Sequence, residues 1–141
     1  MLERDRVIAV VGEWVSKADN DLKNAAYTLQ MGEECPTDTV CFHAQQCVEK
    51  YLKALHVLNG IDFPKTHDVS RILSFLPASV GIKLTPEEQG RLTSYATVTR
   101  YPGDYEPISL AEARKAVRIA RRVRKEIRAY LPKEALRRKR K

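Results

Sequence analysis

The chain has 141 residues, a net charge of +7 at pH 7 and three cysteines. That length suits one domain, which buries roughly two-thirds of the surface its unfolded form exposes and folds without disulfide or metal staples. No apolar run approaches the roughly 18 residues that span a bilayer, and the mixed charge of Met1 to Asp5 is not a signal-peptide layout, so a cytoplasmic protein with no membrane partner is expected.

The first predicted helix runs from about Asp5 to Met31. Val11, Trp14, Val15, Ala18, Leu22, Ala25, Ala26 and Leu29 recur at three and four, one buried stripe ended by Gly32. Cys35-Pro36-Thr37-Asp38 carries helix-start chemistry. The second helix follows from about Thr37 to Asn59, with Val40, Ala44, Val48, Tyr51, Leu52, Leu55 and Leu58 on its core face and Gly60 as its left-handed stop. Cys41 and Cys47 on this helix read as small buried hydrophobes of a reducing compartment.

Phe63 to Asp68 forms a loop into a short third helix with Val69, Ile72, Leu73 and Leu76 as its stripe. Thr85-Pro86-Glu87-Glu88 is a capping box that opens a fourth helix reaching about Thr99. A second box, Ser109-Leu110-Ala111-Glu112, opens the last helix, with Ala113, Ala116, Val117, Ala120, Val123 and Ile127 inward and Leu131-Pro132 at its end. No alternating β pattern of useful length occurs. The predicted class is all-α: an antiparallel up-and-down four-helix bundle with an extra short helix over residues 1–132, then a basic C-terminal tail, 133–141.

Charge is unevenly spread. Residues 1–113 hold 11 Lys and Arg against 16 Asp and Glu, whereas residues 114–141 hold 14 against 2. Arg114, Lys115, Arg118, Arg121, Arg122, Arg124, Lys125 and Arg128 decorate the last helix and repel one another along it. A solvated face and a surface for RNA or an acidic protein are both open readings.

Three polar groupings carry possible chemistry. On the second helix, His43, Gln46 and Lys50 fall within about 60° of one another, so an imidazole, an amide and an ammonium share one line. Lys53 lies further round, four residues after Glu49 in the favourable orientation for an ion pair. An ordinary solvated face accounts for such a line, but it contains no acid, which suits an anionic ligand. In the second grouping, Arg100 stands at a helix end beside Tyr101 and Tyr105. The macrodipole there favours a cation, and Arg with Tyr also suits a phosphate and a stacked base. In the third, Thr66 or Asp68 caps the third helix, and His67 beside them either bonds locally or meets an anion. The spacing of Cys35, Cys41, His43 and Cys47 matches no zinc site, and no Gly-rich phosphate loop is present, so neither metal nor cofactor is implied.

With those residues in view, the chain resembles HEPN-domain proteins of the small stand-alone prokaryotic type from about Trp14 to Leu131. The likeness rests on Phe42-His43-Ala44-Gln45-Gln46 with Glu49-Lys50 and Leu52-Lys53-Ala54-Leu55, then Lys65-Thr66-His67-Asp68, then Arg100-Tyr101-Pro102. The resemblance implies a homodimer with a cleft between protomers and a nucleotide- or RNA-related role. It also implies a minimal nucleotidyltransferase partner in a toxin–antitoxin-like module. Many such proteins are metal-independent ribonucleases with Arg, four to six residues, then His. Here Tyr105 stands where that His is expected, and His43, His56 and His67 all precede Arg100. Phenol, with a pKa of about 10, is a poor general base at neutrality. The leading expectation is therefore a phosphate-binding dimer using His43, Gln46, Lys50, His67, Arg100, Tyr101 and Tyr105. The alternatives are a ribonuclease with a non-standard histidine, with His43 and Arg100 as catalytic candidates, and a non-catalytic interaction module.

Overall fold

Residues 2–97 and 107–137 are described in a computed structural model of the chain. The helices are α1 (Leu2–Leu29), α2 (Thr37–Leu58), α3 (Val69–Ser74), α4 (Pro86–Thr97), α5 (Leu110–Arg128) and α6 (Lys133–Leu136), with a 3-10 turn at Gly32–Glu34 between α1 and α2. No strand occurs among the described residues. α1, α2, α4 and α5 form the antiparallel bundle. α2 is its centre, packed on α1, α4 and α5.

The core follows the helical repeat. Val11, Val15, Ala18 and Ala25 from α1 meet Val40, Ala44, Val48, Leu52 and Leu55 from α2, and Ala113, Ala116, Ala120, Val123 and Ile127 from α5. Each fully buried Leu or Ile contributes about 1.5–3 kcal/mol of apolar transfer. The three cysteines are buried and free. Burial, with Glu112 nearby, pushes the Cys41 thiol up to about 12, so it acts as a small hydrophobe.

Local signals set the helix ends. Gly32 and Gly60 take positive φ of 68° and 67°, the stops that a side chain would strain. Thr85 and Glu88 cap each other reciprocally: Glu88 N–H donates to Thr85 Oγ1 at 3.1 Å, and Thr85 N–H donates to Glu88 Oε1 at 3.0 Å. Ser109 accepts from Glu112 N–H at 3.0 Å to start α5, and Asp68 accepts from Arg71 N–H to start α3.

The chain keeps packing past Pro132, where composition predicts a basic tail. Ala135 of α6 is buried against α1, and the Ala135 carbonyl lies over Gly12. Short apolar residues, Leu131, Ala135 and Leu136, do this among cations, which a charge-based reading passes over.

Candidate functional site

α2 carries the polar line, and α1 supplies what the line itself lacks. Asp21 of α1 is buried with 7% of its surface exposed. Its Oδ1 lies 2.8 Å from His43 Nδ1, and its Oδ2 accepts from Lys50 Nζ at 2.5 Å. His43 and Lys50 are two helical turns apart, about 10 Å along the axis, and the two oxygens of one carboxylate bring them together. Their side chains remain partly open, 26% exposed for His43 and 23% for Lys50. With Asp21 ionised, Nδ1 is the donor to it, and Nε2 of His43 has no hydrogen-bond partner among the described residues.

The other two candidates on described elements meet elsewhere. Gln46 Nε2 donates to Gln45 Oε1 at 2.6 Å, and Gln45 Nε2 donates to Glu49 Oε1 at 2.9 Å. Glu49 also takes Lys53 Nζ at 2.9 Å and His67 Nδ1 at 2.7 Å. The expected Glu49–Lys53 pair thus exists within a larger network, and His67 bonds locally, tying the loop before α3 to α2. Burial pushes the Glu49 carboxyl up, but hydrogen bonds from His67, Lys53 and Gln45 outweigh it and hold the group below its ordinary value. Lys53 also stands over Trp14 and Phe63, 5.2 and 5.5 Å from the ring centroids.

Arg100, Tyr101 and Tyr105 lie outside the described residues. The elements on either side of them are firmly held. Tyr95, in the last turn of α4, donates to Glu112 Oε2 at 2.7 Å in the first turn of α5. The Ile108 carbonyl accepts from Thr37 Oγ1 at 2.7 Å at the start of α2.

Two acids were missed by reading helices one at a time. Asp21 is three residues after Ala18 and four before Ala25, so it sits in line with the apolar stripe of α1, and that placement was the available signal. Asp19, on the other flank, accepts from Tyr51 Oη and from Arg124 Nε at 2.9 Å, with Arg128 3.7 Å from its second oxygen.

Six α-helices and no strand among the described residues place the chain in the class of small all-α domains. Within it the family is settled: a family model, HEPN domain, matches residues 11–130. The chain belongs to the HEPN domain family. Among solved structures it is similar to TT1696 from Thermus thermophilus, with 26% identity and a TM-score of 0.73 over 87% of this chain and 99% of that one. It is also similar to ST0689, an archaeal HEPN homologue, with 26% identity and a TM-score of 0.67 over 86% and 98% of the two chains. No functionally curated protein matches the chain. No described helix is long and apolar enough to cross a membrane.

Proposed function

We propose that this HEPN protein binds the phosphate of a nucleotide or of RNA at the outer edge of α2. The observation that carries the reading is the shared carboxylate. Asp21 holds His43 and Lys50 side by side, partly open, and Nε2 of His43 has no partner among the described residues. In this reading Lys50 and His43 contact phosphate oxygens, while Gln46 lines the edge. Because Asp21 neutralises Lys50, the surplus positive charge comes from Arg100, whose planar fork suits a phosphate. Tyr101 and Tyr105 pack on the base, whereas His67 stays with Glu49 on the far side of Gln46. The reading is supported by the two flanking anchors: Ile108 is held by Thr37 at the start of α2, and Tyr95 is held by Glu112 at the start of α5. His43 is about 9 Å along α2 from Thr37, and Arg100 three residues beyond Thr97, a reach of about 10 Å.

Titration with ATP and with a short RNA tests this. Arg100→Ala weakens binding more than Lys50→Ala, since only the former removes an unneutralised charge. Unchanged affinity in both variants overturns the site. The family resemblance extends the reading to a cytoplasmic homodimer working with a minimal nucleotidyltransferase in a toxin–antitoxin-like module. Sedimentation of the purified chain and co-purification with such a partner check that extension.

One observation favours a second reading, metal-independent RNA cleavage. A carboxylate on Nδ1 fixes the tautomer in which Nε2 accepts a proton, the arrangement of a general base. His43 then takes the proton of a 2′-hydroxyl as that oxygen attacks the adjacent phosphate; the P–O5′ bond breaks, a 2′,3′-cyclic phosphate forms, and the 5′-oxygen leaves with a proton from water. Cleavage in EDTA that disappears in His43→Ala supports this reading, and intact RNA at high protein concentration removes it.

A further inference from the structure

α5 presents a surface that the α2 site does not use. Of its eight cations, three are tied to other helices: Arg122 to Glu88 at 2.7 Å, and Arg124 and Arg128 to Asp19. Arg114, Lys115, Arg118, Arg121 and Lys125 are exposed and have no acid within ion-pair distance among the described residues. Four of them, Arg114, Arg118, Arg121 and Lys125, follow the spacing four, three, four, which confines them to about 60° of the helix surface. They form a straight row about 16 Å long, with successive rises of about 4.5–6 Å.

The row faces away from the bundle, because every apolar residue of α5 from Ala113 to Ile127 is buried on the opposite side. Every exposed residue from Arg114 to Lys125 is basic. A specific protein interface needs an apolar core within a polar rim, and this face has none. An amphipathic helix that enters a bilayer needs free apolar residues, and those of α5 are in the core. A phosphodiester backbone needs neither. It offers one charge per nucleotide, and its binding relieves the repulsion between Arg114 and Arg118, Arg118 and Arg121, and Arg121 and Lys125.

We infer that the α5 row is a sequence-independent docking surface for the phosphate backbone of a single-stranded nucleic acid, separate from the α2 site. Because the row itself consists only of arginine and lysine side chains, contact there is electrostatic and salt-sensitive. Four phosphate contacts, at about 0.7 each in the salt slope, weaken binding about 50-fold between about 50 and 200 mM salt.

Fluorescence anisotropy with a labelled oligouridylate on the full chain tests this. The variant Arg114→Gln/Arg118→Gln/Arg121→Gln/Lys125→Gln flattens the salt slope by about 3, whereas Arg4→Gln/Lys17→Gln leaves it unchanged. All these positions are exposed, and circular dichroism confirms that the helices persist. Running the titration in Lys50→Ala/Arg100→Ala keeps the two sites distinguishable, since the α5 slope survives there. The inference is overturned by absent binding at about 50 mM salt or by the same slope in the fourfold variant. It is also overturned if polyglutamate displaces the RNA as well as unlabelled polyuridylate does, or if anionic phospholipid vesicles capture the chain more tightly than RNA.

Discussion

Asp21 and His43 meet across the α1–α2 seam at 2.8 Å, through Nδ1. The same carboxylate takes Lys50, so removing its charge strands a half-buried ammonium and frees an imidazole together. Asp21→Asn keeps the shape and deletes the charge. It is expected to cost about 1–3 kcal/mol, the range for losing a charged hydrogen bond in a partly buried pair. The readout is a lower urea midpoint with unchanged slope. Lys50→Ala is expected to cost less in the Asp21→Asn background than alone, with a coupling of about 0.5–3 kcal/mol. An unmoved midpoint in Asp21→Asn would show that water replaces the carboxylate at no cost.

Much of the fold was legible because helices announce their faces and ends locally. Thr85 with Glu88 and the glycines at 32 and 60 act in the structure as their sequence contexts predict, and Ser109 caps α5 while the Glu112 carboxylate turns to Tyr95 and Arg91. The site was less legible, because its chemistry is pairwise across helices. The polar line of α2 holds no acid of its own, yet Asp21 arrives from residues more than twenty positions away. Likewise Gln45 and Glu49 fall outside the predicted core face of α2, but both are almost wholly buried, and the loop before α3 brings His67 onto Glu49. No helical period encodes where a loop folds back. Three of the eight cations on α5 are similarly committed to acids on α1 and α4.

Glu49 is a buried carboxylate whose ionised form three donors favour. Its folded value lies below its unfolded one. The stability it contributes is therefore complete above the unfolded carboxylate range of about 4.3 and is lost as pH falls through the folded value. Glu49→Gln is expected to be about 1–3 kcal/mol less stable than the parent at neutral pH, discounted because Lys53 and His67 are partly exposed. The gap closes as pH drops below about 4.3. Parallel urea titrations across that window check both parts, and a gap that persists in acid would assign the effect to packing.

His56 behaves in the same sense for a different reason. It is fully buried, its Nε2–H donates to the Ile72 carbonyl at 2.9 Å, and Nδ1 has no partner among the described residues. Burial lowers its pKa; the Ile72 bond raises it and the Lys53 charge lowers it further. The unfolded state therefore binds the proton more readily. Stability is complete above the unfolded value of about 6.5 and falls as pH drops toward the folded value. Melting temperatures at about pH 7.5 and about pH 5.5 are expected to differ less in His56→Gln than in the parent. An equal difference in both proteins would place the acid sensitivity elsewhere.

Gly12 separates two effects that a single stability number merges. A Cβ there would sit 3.2 Å from the Ala135 carbonyl oxygen, tighter than ordinary contact, and that oxygen is backbone. Something must give, and the four-residue α6 is a weaker element than the 28-residue α1. Against this, Ala in the middle of a helix is favoured over Gly by about 1 kcal/mol. Gly12→Ala is therefore expected to leave the global urea midpoint unchanged or slightly raised while α6 lifts from α1. Lys133 and Arg137 are already exposed, but the lifted end frees the backbone around them for trypsin, so C-terminal cleavage followed by mass spectrometry should quicken several-fold, because the open population governs cleavage when opening is fast. Unchanged cleavage with a raised midpoint would mean that α6 shifts by a few tenths of an ångström and stays docked.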